Sequence, residues 1–439
     1  MNDTATIAQA SHLDSARRKA YARLLPLLCL CYVIAYVDRA NVSIAKLTMN
    51  QDLPAFNDNV IGTGAGIFFL GYFLLEVPGT LLVERWSARK WISRIMVSWG
   101  IIAALTALVK TPNQFYTVRF ALGLAEAGFF PGVIVYLTHW FPIKDRSRAL
   151  AWFLTATPVA QIISPKISGM LTKIGTPGVP PVLGMTGWQW VYILWGIPAV
   201  VLGIIVFMSM PDHPHEAKWL SPEEKEALGR HLAEEKARSA PRRRMTLIEA
   251  LRHPKVLLLA VAYAFIVTGN YGMEFFMPSI FKDWYKLNID AVTWLVLLPP
   301  LGAMVGQLFV GWNSDRTRER QLHAVIPAVL GAIALAVSPH TRGHLWLTVI
   351  CFVIVAGGLK AYLPAFWALP NIFLTQTAAA GSIGLINSIG NLGGFLGPKL
   401  LGKSSVDTGS FVGGIYLLAI SMFLYAVIIM FLGLGRRST

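Results

Sequence analysis

Apolar residues in this chain come in long blocks that are separated by short polar segments. Blocks near 20 residues recur, and about 20 residues is the length that an α-helix needs to cross the core of a bilayer. The pattern therefore predicts an all-α, polytopic membrane protein with twelve transmembrane helices. The predicted spans are 24–46, 60–82, 91–109, 115–140, 147–171, 188–210, 256–281, 291–312, 323–337, 346–370, 378–402 and 411–434.

One hydrophilic stretch, residues 211–254, divides these spans six and six. We expect an N-terminal six-helix bundle over 24–210 and a C-terminal one over 255–434, with a segment 1–23 before them and a tail 435–439 after them. Within the stretch, "SPEEKEALGRHLAEEKA" combines a serine cap, an early proline and first-turn glutamates with a cationic end. Those signals are typical of a helix, so a short amphipathic helix on the cytoplasmic surface is predicted.

The net charge of +15 follows from topology rather than from a nucleic-acid partner. Most of the lysines and arginines fall on one side of the predicted spans, and by the positive-inside rule that side is cytoplasmic and holds both termini. Segment 1–23 has no apolar core before a cleavage site, so no signal peptide is expected. The three cysteines fall in predicted spans, and their spacing fits packing better than a metal site.

The two halves of the chain echo each other. "GTLLVERWSARK" follows span 2 and "GWNSDRTRER" follows span 8, so that Glu84 and Asp315 are 231 residues apart. "SPKISG" and "GPKLLG" place Pro165 and Pro398 at an offset of 233. A parallel repeat of two six-helix halves is a transporter architecture in which the substrate site lies between the halves, near the bilayer midplane.

Several blocks resemble the major facilitator superfamily, and within it the anion:cation symporter family. They are "YVDRANVS", "EVPGTLLVERWSARK", "RFALGLAEAGFFPGVIVYLTHWFP", "PDHPHEAKWLSPEE" and "FWALPNIFLTQTAAAGSIGLINSIGNLGGFLGP". The last block most resembles the bacterial branch that is associated with tartrate, phthalate and hydroxyphenylacetate-type carboxylates. The resemblance implies two pseudo-symmetric bundles, with spans 1, 4, 7 and 10 around a central cavity. It also implies a multi-pass protein of the bacterial inner membrane and transport by alternating access.

Charged residues inside the spans are the main site candidates, because each is costly in a bilayer. Arg119 and Glu126 are seven residues apart and share one face of span 4, while Asp38 and Arg39 lie at a similar depth in span 1. Taken together with the resemblance to the anion:cation symporter family, these positions suggest that Arg39 and Arg119 bind a substrate carboxylate through their planar guanidinium groups. Asp38 and Glu126 would take up and release protons. The alternative is a fixed salt-bridge network that holds the helices together.

The second half offers mainly neutral groups at the matching depth. At an offset of 232, Asn270–Tyr271 correspond to Asp38–Arg39. Lys360, near the middle of span 10, would suit a second anionic group and hints at a diacid or hydroxy acid; the alternative is a lysine that extends along its helix to the interface. The further substrate-binding candidates, for which helix packing is the alternative, are Asn270, Tyr271, Tyr36, Tyr72, Gln161, Trp367 and Asn391, with Glu274 as another titrating group.

Two other sets of charges have a different interpretation. Lys166 and Lys399 occupy matching places near the outer ends of spans 5 and 11, where they either reach the headgroups or form an outer anion gate. Charges in the loops after spans 2 and 8 are interpreted as conformational latch residues that make cytoplasmic contacts in the outward-open state, with plain topology signals as the alternative. These latch residues are Glu84, Arg85, Arg89, Lys90, Asp315 and Arg316, with Arg318 and Arg320 beside them.

The sequence thus predicts a proton-coupled importer of a small organic carboxylate, such as a sugar acid, hydroxy acid, dicarboxylate or aromatic acid. A sodium-coupled symporter and an organic anion exchanger are the alternatives, and a non-transporting membrane sensor is a weaker one. No cofactor is expected beyond the coupling ion, which is H⁺ with Na⁺ as the alternative, and a monomer in the lipid bilayer is the default. An enzyme is not expected, because no span carries histidines or cysteines with metal-ligand spacing.

Overall fold

The computed structural model of the protein describes residues 2–238, 249, 253–374 and 376–434. Within them, the side chains of residues 2–10, 77, 80–85, 147, 236, 238, 371 and 376–381 are not described. The first half and the central stretch contain ten α-helices: α1 Asn2–Ala40, α2 Val42–Asp52, α3 Asp58–Arg85, α4 Ala88–Leu105, α5 Pro112–Glu126, α6 Phe129–Trp140, α7 Ile143–Leu154, α8 Ala156–Leu171, α9 Gly187–Ser209 and α10 Pro222–Arg238.

The second half contributes ten more helices to the described part of the chain. They are α11 Pro254–Tyr285, α12 Ile289–Leu295, α13 Leu298–Thr317, α14 Gln321–Val337, α15 Leu345–Ala361, α16 Leu363–Ala368, α17 Pro370–Phe373, α18 Gln376–Asn391, α19 Gly393–Thr408 and α20 Val412–Leu432. The predicted all-α class is confirmed. Among the residues that the structure describes, ten helical stretches are long and apolar enough to cross a membrane. The other two predicted spans, 147–171 and 378–402, are also helical, but each is broken into two shorter helices.

Several spans that the apolar pattern reads as continuous are interrupted near their middle. In span 4, α5 ends at Glu126 and Gly128 has a φ of 87°, a left-handed conformation that favours glycine. Pro131 follows, and its missing N–H leaves the carbonyl of Ala127 without a helical partner. Pro364 has the same effect in span 10, where α15 ends one residue after Lys360. Interrupted helices of this kind place polar groups inside a bundle.

The two halves pack closely through α3 and α19. A Cβ atom on Gly62 would lie 2.3 Å from the carbonyl oxygen of Pro398, and one on Gly402 would lie 2.2 Å from that of Asp58. These glycines therefore allow backbone contact between the halves, as small residues do in membrane helix pairs. An ion pair of 2.7 Å between Lys173 and Asp290 also joins the halves. These contacts lie at the end of the bundle opposite to the start of α1.

Helix α10 lies within the segment for which an amphipathic surface helix is predicted, and it packs against α1. Glu224 is buried, and its carboxylate accepts hydrogen bonds from the Ser15 hydroxyl at 2.7 Å and from Lys19 Nζ at 2.8 Å. The backbone N–H of Ser221 donates to the same carboxylate at 2.9 Å, while the Ser221 hydroxyl accepts from the backbone N–H of Glu224. This reciprocal pair is a capping box, and it fixes the start of α10.

The contact between α1 and α10 is expected to weaken in acid. Burial raises the pKa of Glu224, but the hydrogen bonds from Lys19, Ser15 and Ser221 outweigh burial and lower this pKa to about 2. A folded-state pKa below the ordinary value of 4.5 gives stability that is present above that value and is lost as the pH falls toward 2. Glu224→Gln should therefore lower the melting temperature by roughly 2–5 °C at pH 7.

The same measurement at lower pH provides the check. The difference in melting temperature between wild type and Glu224→Gln should shrink as the pH falls from about 5 toward 2, because the unfolded wild type takes up a proton at Glu224 over this range while the folded protein resists doing so until the pH nears 2. The matched control is Glu226→Gln, since Glu226 lies on the same helix and is exposed. Equal destabilisation by both variants, or a difference that does not depend on pH, would contradict the assignment.

Candidate functional site

Arg39 and Glu126 form an ion pair where two interrupted helices end. Arg39 is in the last turn of α1, and Glu126 is the last residue of α5. Arg39 Nε and one terminal nitrogen lie 2.6 and 2.5 Å from the same carboxylate oxygen of Glu126, which is buried. The Arg39 guanidinium also lies 5.1 Å from the centre of the Tyr72 ring. The structure therefore brings together three of the predicted site residues, one from each of spans 1, 2 and 4.

Asp38 faces a different set of partners from its neighbour Arg39. Its carboxylate accepts a hydrogen bond of 2.8 Å from the Asn41 amide and another from the Trp99 indole N–H, and it is buried. Consecutive residues on a helix point about 100° apart, so the two charges reach separate environments. Trp99 and Asn41 are partners that the sequence interpretation did not identify, since Trp99 is a fully buried residue of another span, α4.

Arg119 is fully buried, and its guanidinium is incompletely paired. Its Nε donates a long hydrogen bond of 3.5 Å to the carbonyl oxygen of Gly64. Its two terminal nitrogens have no hydrogen-bond partner among the described residues. The guanidinium lies 5.3 Å from the centre of the Phe68 ring, and that of Arg39 lies 5.6 Å from the same ring. Both arginines thus border one aromatic side chain, and one of them retains free donors.

A cavity with an empty volume of about 760 Å³, which includes open solvent, lies between the halves. Its polar lining includes Gln161, Asn270, Glu274 and Lys360. The Tyr36 hydroxyl donates to Glu274 at 2.7 Å and accepts from the Gln161 amide at 2.8 Å. The Asn270 amide donates to the other Glu274 oxygen at 3.4 Å. Four predicted substrate residues and the predicted titrating residue Glu274 are therefore adjacent here.

The charged cluster of the first half does not line this cavity. Asp38, Arg39, Arg119 and Glu126 are all absent from its walls, although Ala40 and Ser43 of the same span as Asp38 and Arg39 are present. The sequence interpretation placed the arginines and the neutral second-half groups around one cavity. In this conformation they form two neighbouring regions, a buried one in the first half and an open one between the halves.

Glu76 is a functional candidate that the sequence interpretation missed. It is a buried carboxylate of α3, and it accepts hydrogen bonds from Asn387 at 2.6 Å, Ser388 at 2.9 Å and Asn391 at 3.4 Å, all on α18. Asn391, predicted to bind substrate, here joins the halves through Glu76. The signal was present, because a glutamate inside the apolar span 60–82 meets the same criterion that selected Glu126.

The remaining predicted site residues pack against aromatic rings. The Tyr271 ring lies 4.3 Å from that of Phe69, and the Trp367 ring lies 5.0 Å from that of Tyr263. Lys166 Nζ lies 4.1 Å from the ring centre of Trp294 across the halves, and Lys399 Nζ lies 4.9 Å from that of Phe395. Two of these contacts join the halves, that of Tyr271 with Phe69 and that of Lys166 with Trp294. The contacts of Trp367 and Lys399 lie within the second half.

The latch residues with described side chains make contacts within their own half. Arg89 lies 3.6 Å from Asp212, and Asp315 lies 2.7 Å from Arg320. Arg316 lies over the ring of Trp312. The backbone N–H of Lys90 donates to the cap residue Ser87. The side chains of Glu84 and Arg85 lie outside the described part of the structure, so the predicted contact between halves stays a prediction.

Comparison with known proteins identifies the family. Residues 28–398 match the model of the Major Facilitator Superfamily. The chain belongs to this superfamily. It is 39% identical over 415 residues to the "Putative tartrate transporter" of Agrobacterium vitis, covering 94% of this chain and 90% of that protein. It is 33% identical over 426 residues to the "Inner membrane transport protein RhmT" of Escherichia coli, covering 97% and 96%.

A solved structure supports the fold of this major facilitator superfamily protein. The inward-open xylose transporter XylE from E. coli superposes with a TM-score of 0.73 at 13% identity, covering 93% of this chain and 96% of that one. At this identity the likeness concerns the fold alone. Together with the family match, it confirms the predicted superfamily and the expectation that the protein is a multi-span membrane transporter and not an enzyme.

Proposed function

We propose that this protein imports a small organic carboxylate together with protons across the bacterial inner membrane by alternating access. The observation that carries the proposal is the buried guanidinium of Arg119, which lies near the Arg39–Glu126 pair and whose terminal nitrogens have no hydrogen-bond partner among the described residues. An unpaired charge inside a protein costs several kcal/mol, and a bound carboxylate would supply the missing acceptors. The similarity to one relative named as a putative tartrate transporter and to another named as an inner membrane transport protein supports this class of substrate and this location.

The Arg39–Glu126 pair provides a route for coupling to protons. A substrate carboxylate that binds Arg39 competes with Glu126 for the same guanidinium nitrogens. Once Glu126 loses its counter-ion in a buried position, its neutral, protonated form is favoured. Asp38, held by Asn41 and Trp99, is the second candidate proton carrier. Substrate and proton thus enter the site together, which is what symport requires.

The conformational part of the cycle rests on the contact between the halves. Close packing of α3 against α19 and the Lys173–Asp290 ion pair hold the halves together at one end. Rocking of one half against the other would open this end and close the opposite one, as in other proteins built from two such repeats. No partner protein is needed for this motion, so a monomer in the bilayer remains our proposal.

Transport by the purified protein in proteoliposomes tests the function. Addition of tartrate to vesicles in weak buffer should raise the external pH, and an inward proton gradient should drive accumulation of labelled tartrate. Accumulation that follows a sodium gradient instead would support sodium coupling. Uptake that requires an internal anion and causes no pH change would support an exchanger. A panel of sugar acids, hydroxy acids and aromatic acids, compared by thermal shift, would define the substrate class.

A further inference from the structure

The outer end of the bundle, which is the end opposite to the start of α1, contains a buried lysine that the proposed mechanism does not use. Lys46 of α2 is 5% exposed, and its Nζ has no hydrogen-bond partner among the described residues. This nitrogen lies 3.9 Å from the carboxylate of Asp58 in the same half, which is beyond hydrogen-bonding distance. An ammonium group has three N–H donors, so the charge of Lys46 is incompletely compensated in this conformation.

Groups of the second half contact both of these charges. Nζ of Lys46 lies 3.3 Å from the centre of the Phe276 ring on α11, which is a cation–π contact across the halves. The other oxygen of the Asp58 carboxylate accepts a hydrogen bond of 2.8 Å from the Ser405 hydroxyl on α19. Two first-half charges that could pair with each other therefore make closer contacts with the second half.

These contacts lie between the cavity and the outer end. Ser43 lines the cavity, and Lys46 follows it by three residues, which is almost one turn farther outward along α2. Phe276 directly precedes a cavity-lining residue of α11. Lys282, also on α11, donates a hydrogen bond of 2.8 Å to the carbonyl oxygen of Leu47, so the same turn of α2 is joined to the second half through its backbone as well.

Opening of the outer end would exchange the partners of both charges. Phe276 and Ser405 would move away with the second half, whereas Lys46 and Asp58 would stay together in the first half. Their side chains could then form a direct, hydrogen-bonded ion pair, and water would reach the remaining donors of Lys46. A buried charge without full hydrogen bonding is costly, so the charge of Lys46 opposes closure of the outer end. Two alternative sets of contacts are what a two-state switching element requires.

We propose that Lys46 is a positioning residue of an outer gate, which binds the Phe276 ring when the outer end is closed and Asp58 when that end is open. The inference rests on the proposed alternating access, and it explains how a closed outer end can reopen. Phe276 is fully buried, so apolar packing around it favours the closed form. The charge of Lys46 counteracts that packing, and Lys46 thereby controls the ratio of the two forms without contacting substrate.

The distance between the halves at the outer end tests this gate. Nitroxide labels are placed at Asn113 and His344, which are exposed residues at the outer ends of the first and second halves, after the native cysteines are replaced by alanine. Double electron–electron resonance on the purified full chain, without substrate, gives the ratio of long (open) to short (closed) distances. The variants are Lys46→Met, Phe276→Leu and the two combined. The control is Lys403→Met, because Lys403 is an exposed lysine on the outer part of α19.

Lys46→Met should lower the open-to-closed ratio at least about 10-fold, because closure no longer buries an incompletely bonded charge. Phe276→Leu should raise the ratio about 3- to 10-fold, because the closed form loses the cation–π contact. In the Lys46→Met background, the effect of Phe276→Leu should be at least about 3-fold smaller, since no cation is left for the ring to bind. Lys403→Met should match the wild type.

A higher open-to-closed ratio in Lys46→Met would overturn the proposal, since the lysine would then hold the closed form together. Equal effects of Phe276→Leu in both backgrounds would also overturn it, because Phe276 would then act through packing alone. If the wild type shows only the short distance, Phe276→Leu must produce the long one, and its absence would reject the gate. The distances require no substrate, so a failure of every tested acid to be transported would reject the proposed function and leave the gate to be decided by these distances.

Discussion

Replacing Arg119 with alanine is expected to abolish substrate binding. The guanidinium of Arg119 is fully buried, and its terminal nitrogens have no acceptor among the described residues, so a ligand carboxylate would be their main partner. Loss of a bidentate, charge-assisted pair of hydrogen bonds in such a buried site should weaken substrate binding by at least about 100-fold. The measurement is calorimetric affinity for tartrate, together with counterflow in proteoliposomes.

Two further variants separate this role from a structural one. Arg119→Lys keeps the charge but lacks the planar fork, so it should fold and still lose most of the affinity. Arg94→Ala removes an exposed arginine of α4 that lies over the ring of Trp91, and it should bind normally. Normal affinity in a folded Arg119→Lys or Arg119→Ala protein would show that Arg119 only supports the packing around Phe68.

The sequence was sufficient for the fold because length and hydrophobicity alone decide which segments cross a bilayer. It was also sufficient to select Arg39 and Glu126 as site candidates, since both are costly charges inside a span, but it did not predict that they pair with each other. It missed the helix interruptions, although Gly128 and Pro364 are local signals for two of them. A long apolar run hides such breaks when only its average hydrophobicity is considered.

The choice of partner for each charge could not be predicted from the sequence. Asp38 and Arg39 are adjacent, yet the first is held by Asn41 and Trp99 and the second by Glu126. That separation depends on how α4 and α5 pack around α1, and side-chain spacing within one helix carries no information about it. The separation of Lys360 from the arginines likewise depends on the arrangement of the two halves.

Replacing Glu126 with glutamine should separate transport from its coupling to protons. Glutamine keeps the size of the side chain but cannot exchange a proton, and it pairs only weakly with the Arg39 guanidinium. Arg39 would then be available to substrate at every pH. We expect proton-driven accumulation of tartrate to fall to the equilibrium level, while counterflow stays within about 3-fold of the wild type. Tartrate affinity should also lose its dependence on pH.

The control for this variant is Asp283→Asn, which neutralises an exposed carboxylate that pairs with Lys286 at the end of α11. It should accumulate tartrate as the wild type does. If Glu126→Gln also accumulates tartrate normally, the coupling proton is carried elsewhere, and Asp38→Asn becomes the variant to compare. If Glu126→Gln loses counterflow as well, Glu126 is needed to position Arg39 for substrate. The ion pair would then have a structural role, and the proposed competition between substrate and the Glu126 carboxylate would be wrong.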